Sequence, residues 1–299
     1  MKNQPLLSNR NNPPHIIAGT PDRSIGRILM DAGKLKQEGT ERIISFQKER
    51  GVRFGEAALK LRLLTRQDIQ YALSRQFEYP YLERGEGELS KELIAAYEPF
   101  GAQAEALRSL RSQLLLHKFC RDYKTQVVIS TEKGEGRSYI AANLAVAFSQ
   151  LGANTLLIDA DMRTPRQHHI FNLTNCIGLS AILCGRAGWE VIQSIPAFAN
   201  LSVMPSGPTP PNPLELLSRG EFSQLLYELS EQYDAVIIDT VAGECSADAQ
   251  TVAAQSVNAR AMALMVIRKG YTRVSDAKKF LKRVKSSGIH VVGSVINQF

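Results

Sequence analysis

The stretch Gln126–Ser138, QVVISTEKGEGRS, carries the pattern that decides the fold of this 299-residue chain. It begins with a short apolar run at 126–130, typical of a buried strand, and continues into a segment that predicts a helix at 137–150. Between the two lies a glycine-rich loop that contains Gly134 and Gly136. Backbone N–H groups of such a loop, at the start of a helix, form a cradle for phosphate groups. The stretch therefore predicts a phosphate-binding unit of strand, loop and helix.

Strand-like and helix-like segments alternate along the chain after this loop. The apolar runs predict strands at 154–158, 201–204, 235–238, 261–267 and 291–296, and longer periodic segments predict helices at 221–233 and 276–285. Such alternation is typical of a parallel sheet that is covered by helices on both faces. The expected fold class is α/β, a P-loop NTPase domain with a mostly parallel sheet, preceded by a small, mainly helical domain.

The loop departs from the usual phosphate-binding motif at one position. The motif ends in Gly-Lys-Ser/Thr, where the lysine reaches the β- and γ-phosphates and the hydroxyl holds Mg²⁺. This chain has Arg137 at the lysine position, followed by Ser138. Arginine keeps the positive charge, but its guanidinium is planar, larger and differently directed. The sequence leaves open whether the site transfers a phosphoryl group or only binds nucleotide.

Three aspartates follow predicted strands, at the edge where α/β sheets bind ligands. Asp159 and Asp161 lie in the segment LLIDADMR, and Asp239 ends the segment VIID. Carboxylates in this position hold Mg²⁺ or its water ligands, and they can orient or deprotonate an attacking hydroxyl group. One such aspartate alone is often a helix cap, but three beside a glycine-rich loop favour a nucleotide and metal site.

The first pair of aspartates resembles the second Walker motif of bacterial tyrosine kinases. In that family three apolar residues precede Asp-x-Asp-x-Arg, and here the motif is Asp159-x-Asp161-x-Arg163. The segment 205–217, PSGPTPPNPLELL, is similar to the family pattern of P-x-G followed by P-N-P-x-E-L-L. The resemblance covers residues 105–299 and is greatest to the chain-length-determinant kinases of exopolysaccharide gene clusters.

A further segment of the chain resembles the helix that packs these kinases into a ring. Its pattern is Glu105-x-x-Arg108-x-x-Arg111, and surface pairing at i,i+3 spacing is the alternative. The resemblance implies a homo-oligomer and a membrane polysaccharide co-polymerase as the partner. It also implies ATP and Mg²⁺ as cofactors.

The resemblance implies roles for individual residues around the loop and the strand ends. The catalytic residues that it implies are Arg137, Asp159 and Asp161, and the Mg²⁺ ligands are Ser138, Asp161 and Asp239. The nucleotide-binding residues that it implies are Gly134, Glu135, Gly136, Arg137, Ser138, Tyr139 and Arg163.

Two further features depart from the pattern of the kinase family. Val241 and Ala242 follow Asp239 and Thr240, where the family has two prolines. The last residues, 297–299, do not form the tyrosine-rich segment that the family autophosphorylates. The sequence therefore does not select a tyrosine as the phosphorylation site.

An internal repeat precedes the nucleotide-binding domain. Residues 24–47 and 53–76 form two copies with an offset of 29 residues, and each copy predicts two short helices. The spacing resembles the MshEN branch of the N-terminal domains of type II secretion and pilus-assembly ATPases, which binds cyclic di-GMP. The cyclic di-GMP site implied by the resemblance contains Gly26, Gly33, Gln47, Arg53, Gly55 and Gln76. The alternative is a small helical docking domain without a ligand.

Shifts in composition divide the chain into four segments. Residues 1–22 are polar and rich in proline and asparagine, which predicts a disordered leader. The helical MshEN-like domain is expected at 23–82, followed by a linker at 83–104 that begins with charged residues and glycine. The kinase-like P-loop domain is expected at 105–299.

Charge and composition bear on the cellular setting of the protein. The chain has a net charge of +7, which could indicate a nucleic-acid partner, an anionic membrane surface or nucleotide phosphates, but it has no long run of lysine or arginine, which favours a solvated surface. Its sequence contains no apolar run of about 20 residues and no pattern typical of a signal peptide. We expect a cytoplasmic protein that is peripheral to the inner membrane only through its partner and binds no nucleic acid.

Three functions are consistent with these patterns. The first is an ATP-binding tyrosine autokinase that regulates exopolysaccharide chain length or export. The second is a catalytically weak or inactive, nucleotide-gated regulatory subunit that senses cyclic di-GMP. The third, a partitioning ATPase of the ParA/MinD type, is least favoured because Glu132 stands where those ATPases carry an additional lysine.

Overall fold

The computed structural model describes residues 24–77, 80–82, 89–244 and 247–298. The chain divides into two compact units, Met1–Tyr79 and Pro80–Phe299. The predicted leader, with the first six residues of the predicted linker, lies outside the described residues.

The N-terminal unit is helical, and its helices follow the internal repeat. Its four described helices are α1 (Ile25–Asp31), α2 (Gln37–Arg50), α3 (Phe54–Lys60) and α4 (Arg66–Gln76). The starts of α1 and α3 are 29 residues apart, and so are the starts of α2 and α4. Helix α1 packs on α4 while α2 packs on α3, so that the two copies complete each other's hydrophobic core.

Equivalent positions of the two copies supply this small core. Leu29, Leu35 and Ile43 of the first copy are buried, and so are the residues 29 positions later, Ala58, Leu64 and Ala72. The second copy carries smaller side chains at two of these three positions, Ala58 and Ala72. The repeat is therefore a property of the packed structure as well as of the sequence.

One equivalent pair shares an unusual backbone conformation. Gly33 has a φ of +68°, and Arg62, 29 residues later, has a φ of +53°. A left-handed φ strains a residue that has a Cβ atom by about 1–2 kcal/mol, whereas glycine adopts it freely. We therefore expect an Arg62→Gly substitution to stabilise the N-terminal unit by about 1 kcal/mol.

Hydrogen–deuterium exchange of the α3 and α4 amides in the full chain measures this effect. Arg42, an exposed residue within α2, is the matched control, because glycine inside a helix costs about 1 kcal/mol. Slower exchange in the Arg62 variant and faster exchange in an Arg42→Gly variant are expected. Faster exchange in both variants would show that Arg62 is not strained.

The second unit is built on a seven-stranded, mostly parallel sheet. Among the described residues its strands are β1 (Thr125–Ser130), β2 (Thr155–Asp159), β3 (Gln193–Ser194), β4 (Leu201–Met204), β5 (Ala235–Asp239), β6 (Ala261–Arg268) and β7 (His290–Asn297). Their order across the sheet is β3-β4-β2-β5-β1-β6-β7, and only β3 pairs in the antiparallel direction. The predicted parallel α/β fold is thus confirmed, and β3 is an addition that the apolar pattern did not predict.

Helices cover both faces of the sheet. The described helices of this unit are α5 (Ile94–Tyr97), α6 (Ala102–Leu116), α7 (Arg137–Ser149), α8 (Gln167–Ile170), α9 (Leu179–Leu183), α10 (Pro213–Leu217), α11 (Gly220–Gln232), α12 (Asp248–Gln255) and α13 (Val274–Ser286). One hydrophobic cluster joins the sheet to α11, α12 and α13, and a second joins it to α5, α6 and α7. Successive strand residues such as Val127 and Val128 belong to opposite clusters, as the pleat of a strand requires.

The structure corrects the prediction of a linker at 83–104, because the described part of this segment belongs to the α/β unit. Leu93 is fully buried in the cluster beneath α7. Asn143 of α7 accepts a hydrogen bond from the Ala95 N–H at 2.9 Å and donates one to the Glu92 carbonyl at 2.9 Å. The charged, glycine-rich composition that indicated a linker ends at residue 88, and the apolar residues after it pack as part of the domain.

Candidate functional site

The glycine-rich loop connects β1 to α7, as the sequence predicted. Gly134 has a φ of +81° and Gly136, the N-cap residue of α7, has a φ of +94°. Both values lie in the left-handed region, which explains why glycine occupies these two positions. The loop ends at the N-terminus of α7, and the N-terminus of a helix is a position where an anion is stabilised.

The loop is held in place by residues from the last two strands of the sheet. Glu135 is fully buried, and it accepts hydrogen bonds from the Glu132 N–H at 2.9 Å and from the Thr272 hydroxyl. Asn297 donates to the Glu135 carbonyl at 3.1 Å, and Arg268 donates to the Gly134 carbonyl at 3.2 Å. The side chain of Glu135, a predicted nucleotide-binding residue, thus points into the protein and shapes the loop from within.

Arg137 lies beneath the loop with 7% of its surface exposed. Its Nε donates to the Thr240 carbonyl at 2.8 Å, and its Nη1 donates to the Ser130 hydroxyl and to the Glu132 carbonyl. Its Nη2 lies 3.9 Å from Asp161 Oδ2. The guanidinium therefore connects the loop to the ends of β1 and β5 through two of its nitrogens. A lysine at this position would have a single ammonium nitrogen to donate.

The two aspartates after β2 are engaged by the backbone that follows them. Asp159 is fully buried and accepts hydrogen bonds from the N–H groups of Asp161, Arg166 and Gln167 at 2.9–3.1 Å. Burial raises the pKa of Asp159 well above its usual range, and the nearby charge of Asp239 adds to the rise. Asp159 thus caps the start of α8 at the bottom of the site.

Asp161 forms a tight turn with the residues that follow it. Its Oδ1 accepts from the N–H groups of Arg163 and Thr164 at 3.1 and 2.8 Å, and its Oδ2 accepts from the Thr164 hydroxyl at 3.0 Å. With these bonds and the contact to Arg137, the carboxylate orients the segment after β2.

Asp239 differs from the other two aspartates because one of its carboxylate oxygens accepts no hydrogen bond from the described residues. Its Oδ2 accepts a hydrogen bond from Gln167 Nε2 at 2.8 Å, while its buried Oδ1 has no hydrogen-bond partner in the described part of the chain. Burial raises the pKa of Asp239, and the charge of Arg137 and an interaction with the Ser138 hydroxyl oppose that rise. A buried carboxylate oxygen without a partner costs free energy unless a cation or another donor meets it.

These oxygens fit a magnesium ion that is shared with a nucleotide. Mg²⁺ is commonly held by one or two carboxylates together with phosphate oxygens and water, rather than by a cage of protein ligands. The described residues contain no group of three or more His, Cys, Asp or Glu side chains that could hold a metal ion by themselves. Asp239 Oδ1 is the carboxylate oxygen that has no hydrogen-bond partner among the described residues, and the Ser138 hydroxyl interacts with the same carboxyl group.

A cavity of about 500 Å³ opens in front of the loop. The residues that line it are Glu92, Ile94, Gln103, Gly134, Gly136, Tyr139, Arg166, Arg268, Asn297 and Gln298. Tyr139, a predicted nucleotide-binding residue, thus faces this cavity. Arg163 was predicted for the same role, but it forks onto Asp248 at the start of α12, with distances of 2.7 and 3.2 Å.

Sequence reasoning missed several residues that shape the site. Gln167 bridges Asp239 to the Ser138 carbonyl, to which it donates at 3.2 Å, and it carries no charge that could have drawn attention to it. Arg166 and Arg268 bring positive charge to the cavity from positions far apart in the sequence. A signal for Arg166 was its place three residues after the arginine of the Asp-x-Asp-x-Arg motif.

The three residues predicted to form oligomer contacts, Glu105, Arg108 and Arg111, all lie on α6 but differ in their contacts and exposure. Arg111 donates to the Ala147 carbonyl of α7 at 2.8 Å, so its side chain packs inside the unit. Arg108 donates to Glu105 at 3.0 Å and to the Pro99 carbonyl. The Glu105 side chain remains 65% exposed.

The residues predicted to bind cyclic di-GMP spread over the N-terminal unit. Gly26 and Gly55 lie in α1 and α3, where a Cβ atom would come within 3.4 Å of Phe54 and within 3.3 Å of Ile69, respectively. Close helix packing therefore accounts for these two glycines. Gly33 follows α1, Gln47 lies in α2, Arg53 is the N-cap residue of α3, and Gln76 ends α4.

Comparison with known proteins places this geometry in a family. No protein-family model matches the chain. A tyrosine-protein kinase of Bacillus subtilis, YwqD, is 35% identical over 70% of this chain and 86% of its own length.

Within the described residues, no helix combines the length and the apolar character needed to cross a membrane.

Solved structures show the same relationship. The kinase domain of the Escherichia coli tyrosine kinase ETK is 29% identical, with a TM-score of 0.65 over 69% of this chain and 79% of that domain. The chimerical protein CapA2B2 is 33% identical, with a TM-score of 0.63 over 76% of this chain and 97% of that protein. The sequence and the sheet of this chain, with its glycine-rich loop and strand-end aspartates, thus agree with one conclusion: the chain belongs to the family of bacterial tyrosine-protein kinases.

Proposed function

We propose that the protein is an ATP- and Mg²⁺-dependent tyrosine autokinase that regulates exopolysaccharide chain length or export. One observation carries this proposal: Asp239 Oδ1, which has no hydrogen-bond partner among the described residues, lies at the end of β5 beside the strand that leads into the glycine-rich loop, in a chain 35% identical to a tyrosine kinase. The same likeness favours a kinase over a partitioning ATPase.

Different residues of the site bind the phosphates, hold Mg²⁺ and orient the neighbouring segments. Loop N–H groups around Gly134 and Gly136 cradle the phosphates, and Ser138 with Asp239 holds Mg²⁺. Mg²⁺ supplies neutralisation of the phosphate charge when it is bound. The buried carboxyl of Asp159 orients the segment after β2, and Asp161 holds Arg137 near the loop.

Phosphotyrosine formation tests the kinase proposal. The full chain is incubated with Mg²⁺ and ATP labelled at the γ-phosphate, and tyrosine phosphorylation is followed by mass spectrometry. An Asp239→Asn variant serves as the control that cannot hold the metal. Labelled tyrosine in the wild type alone is expected, and its absence at long incubation times would contradict autokinase activity.

A second candidate function rests on the inward position of Arg137. Because its Nε and Nη1 already donate to protein oxygens, the guanidinium reaches the phosphates only if these bonds break. A nucleotide-gated regulatory subunit of low or no catalytic activity would fit such a residue. Restored phosphoryl transfer in an Arg137→Lys variant, with an inactive wild type, would favour this candidate.

The N-terminal repeat extends this second candidate to cyclic di-GMP. Its two helix pairs keep the 29-residue offset in the folded unit, as the spacing of the MshEN-like resemblance requires. Titration of the full chain with cyclic di-GMP tests the proposal, with Arg53→Ala as the variant expected to weaken binding. No binding by the wild type would leave the repeat as a helical docking domain.

The family also suggests where the protein acts and with what. We propose a membrane polysaccharide co-polymerase as its partner and a cytoplasmic position at the inner membrane. Self-assembly through α6 is part of this proposal, with the exposed Glu105 as the contact residue rather than the inward Arg111. Loss of a high-mass species in light scattering of a Glu105→Lys variant is the expected result.

Gln167 is expected to position the metal carboxylate. A Gln167→Leu substitution keeps the size of the side chain but removes the hydrogen bond to Asp239, so Mg²⁺-dependent ATP affinity should fall roughly tenfold to 100-fold. His169→Leu, two residues later on α8, is the matched control. Binding of a fluorescent ATP analogue is measured with Mg²⁺ and with a chelator. An equal loss under both conditions would show a purely structural role.

A further inference from the structure

Helix α13 concentrates positive charge that is dispersed in the rest of the chain. Residues 273–285 contain six lysines and arginines and a single carboxylate, in a chain whose net charge is +7. The apolar side of the helix, with Ala277, Phe280 and Val284, is buried in the core. All six cations are exposed.

A stripe along this helix faces solvent with lysines at regular spacing. Val274, Lys278, Lys282 and Lys285 lie four, four and three residues apart, so they share one side of α13. We call these four residues the lysine stripe. In the described part of the chain none of its three lysines makes an ion pair, whereas Lys279 on the other flank lies 3.7 Å from Asp276.

The other flank of α13 is balanced by carboxylates. A cleft beside the glycine-rich loop is lined by Lys279, Lys282 and Arg283 and also by Glu132, Glu244 and Asp276. The three positive and three negative groups there offset each other. Lys282 belongs both to this cleft and to the lysine stripe, so the positive charge of the stripe that no carboxylate of the cleft offsets lies at Lys278 and Lys285.

Exposed apolar side chains accompany this charge. Val274, the first residue of α13 and of the lysine stripe, is 68% exposed. Tyr271, three residues before it, is 47% exposed. Lysines beside an exposed aliphatic and an exposed tyrosine are the combination that binds the interface of an anionic membrane, where each cation contributes about 1 kcal/mol. Nucleic-acid phosphates are more often met by forked arginines, and all three cations of the stripe are lysines.

We propose that the lysine stripe of α13 docks the protein directly on a bilayer that contains anionic phospholipids. The sequence predicts membrane association through a partner alone, because it contains no apolar run long enough to span a membrane and its positive charges form no long run. Folding brings them onto one side of a helix at four- and three-residue spacing. Direct docking would place the kinase site at the membrane independently of any partner protein.

Vesicle co-sedimentation of the full chain tests this proposal. Vesicles of phosphatidylcholine alone are compared with vesicles of equal parts phosphatidylcholine and phosphatidylglycerol, at low and at high salt. The stripe variant carries Lys278→Glu, Lys282→Glu and Lys285→Glu. The control variant has the same change in net charge at three exposed arginines elsewhere, Arg121→Glu, Arg186→Glu and Arg219→Glu.

The wild type is expected to bind the anionic vesicles, to ignore the neutral ones and to dissociate at high salt. The stripe variant should lose about 100-fold in binding, and the control variant far less. An equal loss in both variants, or no binding to anionic vesicles by the wild type, would overturn the proposal. It would also fall if duplex DNA displaced the protein from the vesicles at equimolar phosphate, because the stripe would then be a nucleic-acid surface.

Discussion

An Asp239→Asn substitution is expected to weaken Mg²⁺-dependent ATP binding by at least about 100-fold, because it removes the negative charge from a buried carboxyl group whose Oδ1 has no partner among the described residues. The fold should survive, since an asparagine oxygen can still accept the hydrogen bond from Gln167. Binding of a fluorescent ATP analogue with Mg²⁺ and with a chelator measures the effect. Affinity in the chelator should change little.

The same substitution is expected to make the protein more stable at neutral pH. Burial raises the pKa of Asp239, so the folded protein binds this proton more tightly than the unfolded chain does. Stability from this group is then highest at low pH and falls as pH rises between the unfolded and the folded pKa. Asparagine does not titrate, so the gain over wild type should be present at neutral pH and vanish below the usual pKa of aspartate.

Chemical denaturation at several pH values measures this stability difference. Asp122→Asn is a matched control at the surface, where an ion pair with Lys118 lowers the pKa of the carboxyl. That control should leave ATP binding unchanged and should not stabilise the protein. An Asp239→Asn variant that kept full Mg²⁺-dependent affinity would remove Asp239 from the metal site.

A Gly178→Ala substitution is expected to destabilise the α/β unit by about 3 kcal/mol or more. A Cβ atom at this position would lie 1.8 Å from the Pro205 carbonyl oxygen, a backbone atom that cannot move aside. The same carbonyl accepts the Leu179 N–H at 2.9 Å, and Ser180 donates its N–H to Ser206 at 2.9 Å. The clash would therefore also separate α9 from the segment after β4.

Unfolding followed by tryptophan fluorescence measures this loss, because Trp189, the one tryptophan, lies in the α/β unit. Gly220→Ala is the matched control: nothing lies within 4 Å of its Cβ position, at the first residue of α11. The control should be neutral or slightly stabilising, since alanine favours a helix. Equal stability of both variants would mean that α9 does not pack against the Pro205 segment as described.

Most of the α/β framework could be predicted from sequence because its strands are buried on both sides. Such strands read as continuous apolar runs, and the runs at 201–204 and 235–238 match β4 and β5 within one residue. Strand β3 escaped prediction because it is two residues long, and polar. Helix α12, 248–255, escaped because its small residues give little periodicity.

The sequence predicts which segments form the site, but it does not predict where the side chains of Arg137 and Gln167 point. The loop glycines and the aspartates follow strands, so their meeting at one sheet edge follows from topology. The inward turn of Arg137 does not, because its acceptor on Thr240 is 103 positions away. Gln167 meets Asp239 across 72 positions in the same way. Long-range hydrogen bonds of single side chains leave no periodic trace in a sequence.

The charge on α13 illustrates a similar limit. In sequence its lysines are interrupted by apolar residues, which is why the chain showed no long basic run. Only the helical period brings Lys278, Lys282 and Lys285 onto one side. Charge patterns therefore need the secondary structure before they indicate a surface.

Calorimetric titration of the full chain with ATP, with and without Mg²⁺, shows whether the loop amides, Ser138 and Asp239 form one nucleotide and metal site although Arg137 turns inward. We predict saturable binding that is at least about tenfold tighter with Mg²⁺. No binding, or the same affinity in a chelator, would contradict the account.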